Sequence, residues 1–200
     1  MRIEKISKSG SAVRVIFDEG KPLSVPSAHA AELRLREGME LGGETYAEIK
    51  RADAKLRALR ALGARDMSKR ELIAKIAYTC EDLTLANEIA EWCEEMELID
   101  DAEYAASVVR RCAARGYGAD RVRDELRRHS VDMELQDAAL AGMPDMGDAA
   151  YKLYSSKMNG ADADGAEARK AARMMRGRGY GWDDISRARE RYREAAGDAD

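Results

Sequence analysis

Sliding this chain against itself by about fifty residues places Ser68 on Gly118, Leu72 on Val122, Ile76 on Leu126, Cys80 on Ser130 and Leu85 on Leu135. A self-match at that period restricts the chain to stacked supersecondary units that share a core end to end. Between the two copies, Leu98-Ile99-Asp100-Asp101-Ala102-Glu103-Tyr104-Ala105 is where one amphipathic helix stops and the next starts. Function is then expected on outer faces and not in a central pocket.

Charge is arranged in blocks. Residues 81–103 hold ten carboxylates and no Lys or Arg, while residues 104–131 hold seven arginines against three acids. A second basic run covers residues 169–193. The formal net charge of −4 excludes a uniformly basic nucleic-acid binder, and the blocks suit a partner that carries both protein and nucleic acid. Cys80, Cys93 and Cys112 share no Cys-x-x-Cys spacing and only His29 and His129 are available beside them, so no metal site is expected. The three thiols read as reduced core residues of a cytoplasmic protein. No segment approaches the length of a membrane span.

Strand signals are confined to the start of the chain. Val13, Val15 and Phe17 alternate with Ala12, Arg14 and Ile16, and Ser9-Gly10-Ser11 and Asp18-Glu19-Gly20 read as turns, which predicts three short antiparallel strands. From Glu44 onward the period is helical. A stripe of Ile49, Ala52, Leu56, Leu59 and Leu62 is followed by a capping box at Ser68 and Glu71. The next helix places Leu72, Ile76 and Thr79 inward, and the one after it Leu85, Ile89, Trp92, Cys93 and Met96. Asp100 or Asp101 caps a helix presenting Tyr104, Val108, Val109 and Cys112. Val122 and Leu126 mark the helix after Gly118, and Met133, Leu135, Ala139 and Leu140 a short one beyond it. A fainter third unit shows Met146, Ala150, Leu153 and Tyr154, then a connector at residues 159–165 and two final helices. The tetrapeptide Arg-Gly-Tyr-Gly occurs at residues 115–118 and again at 178–181. The expected fold is mainly α: tandem three-helix, helix-turn-helix-like repeats in an elongated array behind a small N-terminal antiparallel β-sheet. Its boundaries fall at 1–47 for the β-rich region and 48–98, 99–142 and 143–196 for the three repeats.

Ser68 with Glu71-Leu72, Leu98-Ile99-Asp100-Asp101 with Tyr104-Ala105, Gly118 with Arg121-Val122 and Glu125-Leu126, and Arg178-Gly179-Tyr180 together resemble the RecX family of bacterial recombinase regulators, over roughly residues 50–195. That resemblance implies three tandem three-helix modules without a catalytic site or cofactor. It also implies a monomer that binds the RecA filament on single-stranded DNA, with weak direct DNA contact, and inhibits recombinase, ATPase and coprotease activities in DNA repair. Members often carry glycine where this chain has Cys80, Glu97 and Ser130 just after a helix, positions that favour a left-handed backbone.

Arg110, Arg111, Arg115, Arg121, Arg123, Arg127 and Arg128 are the candidate partner-binding residues, with Arg123 and Arg127 foremost because they lie four apart and off the apolar stripe. The plainer account of the same arginines is a solvated face neutralised by Asp120, Asp124 and Glu125. Asp100 and Asp101 have a sufficient role as caps, Tyr104 belongs to the core, and Tyr180 and Trp182 are placed at least partly in solvent. A rival reading, from the glycine-turn helices, is a helix-turn-helix DNA-binding transcriptional regulator.

Overall fold

Alternating apolar residues make the N-terminal sheet. A computed structural model describes residues 1–197. In it β1 (Ile3–Ser9), β2 (Ala12–Phe17) and β3 (Leu23–Pro26) form an antiparallel sheet in the order β1-β2-β3. Ser9 pairs with Ala12 across a turn in which Gly10 takes φ 64°, a left-handed value that glycine adopts without steric cost. One face of the sheet buries Ile3, Val15, Phe17 and Val25 against Leu41 and Ile49.

Ten helices follow among the described residues: α1 (Ser27–Glu32), α2 (Gly43–Ala64), α3 (Lys69–Cys80), α4 (Leu83–Glu95), α5 (Asp101–Ala114), α6 (Ala119–Arg128), α7 (Met133–Ala141), α8 (Gly147–Met158), α9 (Ala166–Gly177) and α10 (Trp182–Gly197). The expected fold class is therefore met: a helical chain of three-helix sets behind a three-stranded sheet. The chain divides into two compact units at residues 100 and 101. In the first, α2 serves two cores. Its start meets the sheet through Ile49, Tyr46 and Ala52, and its second half meets α3 and α4 through Ala54, Ala58 and Ala61. In the second unit, α5–α7 close around Tyr104, Val108, Val122 and Leu126, and α8–α10 close around Tyr154, Met175, Tyr180 and Ile185. Each three-helix set thus has its own apolar cluster in place of the end-to-end core expected from the repeat.

Several inward assignments shift. On α2 the buried stripe is Ile49, Asp53, Ala54, Ala58 and Ala61, and the leucines sit at its margin, with Leu59 exposed. Alanines let neighbouring backbones approach, so the small side chains take the centre and the large ones the rim. Asp53 is 1% exposed and accepts the Ser24 N–H at 2.7 Å and an Arg57 N–H, which ties β3 to α2. Met96 is exposed because α4 has already ended at Glu95, and Met133 because it is the first residue of α7. Trp92 is half-buried, with the Lys55 ammonium 4.2 Å from its ring centre. Tyr180 is wholly buried, not solvent-facing. Of the three expected left-handed turns, Glu97 and Ser130 have φ 56° and 55°, whereas the third falls on Glu81 with φ 54°, one residue after Cys80. Cys93 and Cys112 are buried and Cys80 is half-buried; all three are free thiols. Burial pushes the Cys93 and Cys112 thiols up from their ordinary range, which leaves them protonated and inert.

Caps fix the helix starts. Ser68 Oγ accepts the Glu71 N–H at 3.2 Å, as the capping box requires. Asp82 accepts the Leu85 N–H at 3.0 Å and receives the Lys50 ammonium at 2.9 Å. Those two donors, the backbone one first, hold the Asp82 carboxyl below its ordinary 3.8. Asp82→Ala should therefore lower stability at neutral pH by about 1–2 kcal/mol. A depressed folded pKa stabilises above the unfolded value and is lost as pH falls through the folded one. The difference in urea midpoint between wild type and variant should therefore shrink once the pH drops under 3.8. A constant difference across that range would show that the carboxylate charge is not what Asp82 contributes.

Candidate functional site

The seven candidate arginines occupy two neighbouring helices, and the structure separates them into three groups. Arg110, Arg111 and Arg115 lie on or just beyond the C-terminal part of α5, where a helix dipole favours cations. Arg110 pairs with Glu103 at 2.6 Å and Arg111 donates to Ser107 Oγ at 2.9 Å, while Arg115 is exposed after the helix end. On α6, Arg121 and Arg128 both reach Glu125, at 3.1 and 2.9 Å. Arg123 and Arg127 lie on another side of α6 and reach Asp120 and Asp124, at 3.7 and 3.3 Å. Most of these pairs are formed within a single helix between exposed or half-exposed groups, each worth about 0–1 kcal/mol. Such arginines can exchange an intrahelical carboxylate for an external anion at small cost.

What holds α6 in place is backbone against backbone. The Gly118 N–H donates to the Arg178 carbonyl at 3.0 Å, and the Asp120 N–H to the Gly179 carbonyl at 3.0 Å. Tyr180 Oη donates to the Gly116 carbonyl at 3.0 Å, and Arg176 reaches Asp120 at 2.8 Å. The two Arg-Gly-Tyr-Gly segments therefore lie face to face. A Cβ on Gly118 would stand 2.2 Å from the Gly179 oxygen, and one on Gly179 would stand 2.3 Å from the Arg121 nitrogen. Gly179 also has φ 83°, so it meets both demands that only glycine satisfies. The N-terminus of α6, where the arginine helix begins, is thereby fixed to the turn between α9 and α10.

Four carboxylates of the acidic block are engaged within the first unit. Lys21 reaches Glu81, Lys50 reaches Asp82, Arg51 reaches Glu88 and Lys69 reaches Glu94. These four carboxylates join α4 and its preceding turn to neighbouring elements of the same unit.

A set of residues that sequence reasoning did not find is apolar. Leu83, Met133 and Trp182 are each the first residue of the last helix in their three-helix set, and each is exposed, at 62%, 75% and 65%. One large apolar side chain is thus held in solvent at the same place in all three sets. The fifty-residue offset puts Leu83 on Met133, which is the signal in the chain that could find this set.

Among the described residues no group of three His, Cys, Asp or Glu side chains is placed to hold a metal ion, and no helix is long and apolar enough to cross a membrane.

Comparison with known proteins agrees with this architecture. The family model described as "RecX, second three-helix domain" matches residues 100–140, the stretch of α5, α6 and all but the last residue of α7. A regulatory protein RecX from Vibrio campbellii is 32% identical over 133 residues, covering 66% of this chain and 86% of that protein. Another from Xanthomonas campestris pv. campestris is 35% identical over 132 residues, covering 64% and 81%. Among solved structures, a crystal structure of regulatory protein RecX superposes with a TM-score of 0.63 at 22% identity, covering 94% of this chain and 98% of that one. RecX from Lactobacillus salivarius gives 0.65 at 19% identity, covering 71% and 96%. At those identities the two structures speak for the fold alone.

The glycine contact makes a contrasting pair of substitutions informative. Gly118→Ala should destabilise the chain by about 3 kcal/mol, because the added methyl collides with backbone that cannot turn aside. Gly63→Ala, in α2 with nothing within 4 Å of the added carbon, should instead stabilise it by about 0.5–1 kcal/mol. Urea midpoints of the two variants moving the same way would refute this account of the joint.

Proposed function

The chain belongs to the RecX family, and from that footing we propose that it is a noncatalytic regulator that binds the RecA filament on single-stranded DNA. In this proposal it restrains recombinase, ATPase and coprotease activities in DNA repair, and works as a cytoplasmic monomer with weak, salt-sensitive contact to bare DNA. The observation that carries the reading is the repetition of one contact feature. A large exposed apolar side chain recurs at Leu83, Met133 and Trp182, at the same place in each three-helix set. Singly exposed apolar residues are common on monomers, and Leu59, Tyr78, Met96 and Leu98 are exposed here too; what supports the reading is recurrence at one position of a repeat. A partner that itself repeats can meet more than one of them, and linked weak contacts multiply into avidity. On this reading residues 48–98, 99–142 and 143–196 act as three contact modules behind the sheet-bearing residues 1–47.

The arginines of α5 and α6 supply the polar half of the surface. Arg123 and Arg127 share a side of α6 whose carboxylate partners are exposed, so an external anion can take their place. The helix-turn-helix regulator reading is disfavoured by the same geometry. A recognition helix offers its arginines to base edges, whereas Asp120, Asp124 and Glu125 intersperse three carboxylates among those of α6.

Capture by RecA assembled on single-stranded DNA tests the proposal, with free RecA and bare DNA as controls. The chain should be retained by the filament and should slow its ATP hydrolysis. Arg123→Glu with Arg127→Glu should weaken capture by about tenfold, or about 1.4 kcal/mol, with helical circular dichroism unchanged. Retention by one duplex sequence in place of the filament would favour the DNA-binding regulator. A doubly reversed variant that inhibits like wild type would remove this side of α6 from the contact surface.

A further inference from the structure

A groove of ≈ 710 Å³ runs between α9 and α10, within the last three-helix set. The aliphatic part of its lining comes from Ala168, Ala172 and Ile185, and Trp182 also lines it. Around that lining stand Arg169, Arg173, Arg176 and Arg189. Arg169, Arg173 and Arg176 are spaced four and three apart on α9, which puts all three along one edge. The single carboxylate in the lining, Asp164, is already taken by Arg193 at 2.8 Å, with Arg189 at 3.8 Å. Arg176 is occupied by Asp120 and the Tyr180 carbonyl. Arg169 and Arg173 are exposed and have no carboxylate partner among the described residues.

A second observation points to a ligand. Tyr154 lines this groove, is wholly buried, and its hydroxyl has no hydrogen-bond partner among the described residues. A buried hydroxyl left without a partner costs about 1–3 kcal/mol, which a polar atom entering the groove would relieve. Burial also raises the Tyr154 hydroxyl above its ordinary pKa, so it remains a donor at neutral pH.

We propose that the α9–α10 groove is a docking site for an acidic peptide segment, one that inserts an aliphatic side chain between the helices and presents carboxylates to Arg169, Arg173 and the Tyr154 hydroxyl. The charge is one-sided, with four arginines against one committed aspartate, and a guanidinium receives a carboxylate through two parallel hydrogen bonds. Methyl groups and an isoleucine suit an aliphatic side chain and not a base. Stacking needs a flat aromatic face, and the one offered by Trp182 already has the Arg176 guanidinium 5.7 Å from its ring centre. The groove shares Trp182 with the surface of the filament reading and is joined to α6 through Arg176 and Asp120, but its test contains no RecA, so its failure and the failure of that reading are distinguishable.

The probe is a short dye-labelled peptide with one leucine flanked on both sides by glutamates, titrated into the full-length chain in low salt. Trp92→Phe in the background leaves Trp182 as the sole tryptophan reporter. Binding should raise the dye anisotropy and change Trp182 emission, and the glutamine-for-glutamate peptide should bind about tenfold more weakly. Arg169→Glu with Arg173→Glu, both exposed, should lower affinity by about tenfold or more. Tyr154→Phe, which keeps the packed ring, should lower it by about fivefold, the size expected for one buried hydrogen bond. Absence of binding, or binding untouched by the arginine reversals, overturns the proposal. So does an oligothymidylate that perturbs Trp182 while the peptide does not, since the groove would then be a nucleic-acid surface.

Discussion

Short helices do not stand by themselves. Helices of 9 to 16 residues, the range of α3 to α10, are marginal in water because nucleation costs more than a few turns return. Each therefore exists only while its apolar face is covered by two others, and the three-helix set is the smallest arrangement that does this. Every set here closes its own cluster, around Leu72 and Ile89, around Val108 and Leu126, and around Tyr154 and Met175. Because the apolar residues are committed to these small interiors, the charge blocks are left on the outside. The surface available to a partner follows from the packing requirement.

The arginines and the exposed apolar residues then do different physical work. Intrahelical ion pairs on α6 keep the arginines soluble and ordered at low energetic cost, which leaves them exchangeable. Leu83 and Met133 are largely in solvent, and Trp182 is 65% exposed even with the Arg176 guanidinium over its ring. In the proposed role such a surface would gain affinity by apolar contact and orientation by charge, a division typical of protein interfaces.

Much of the fold was legible because it is periodic. Alternation at Val13, Val15 and Phe17, the Ser68 cap, and the stripes through Val108 and Leu126 each report a local rule that packing then obeys. What escaped was decided by neighbours. The α2 stripe was misjudged because hydrophobicity ranks leucine above alanine, whereas a helix shared between two cores is better served by Ala54 and Ala58 at its centre. Asp53 was missed because a buried carboxylate makes sense only beside the Ser24 amide and Arg57, one of them 29 residues away. Tyr180 was placed in solvent because it follows a glycine turn, and nothing local shows that Gly116 supplies its acceptor. For the candidate surface, the arginines could be named from the chain and Arg123 and Arg127 set apart by their spacing, but which carboxylate each arginine of α6 meets could not.

The repeated Arg-Gly-Tyr-Gly tetrapeptide has an evolutionary consequence. Its two copies are complementary halves of one main-chain clasp, one supplied by the middle three-helix set and one by the last. A side chain on Gly118 or on Gly179 would force the two segments apart, so each half confines drift in the other to glycine, and loss of either would leave its neighbour without a dock.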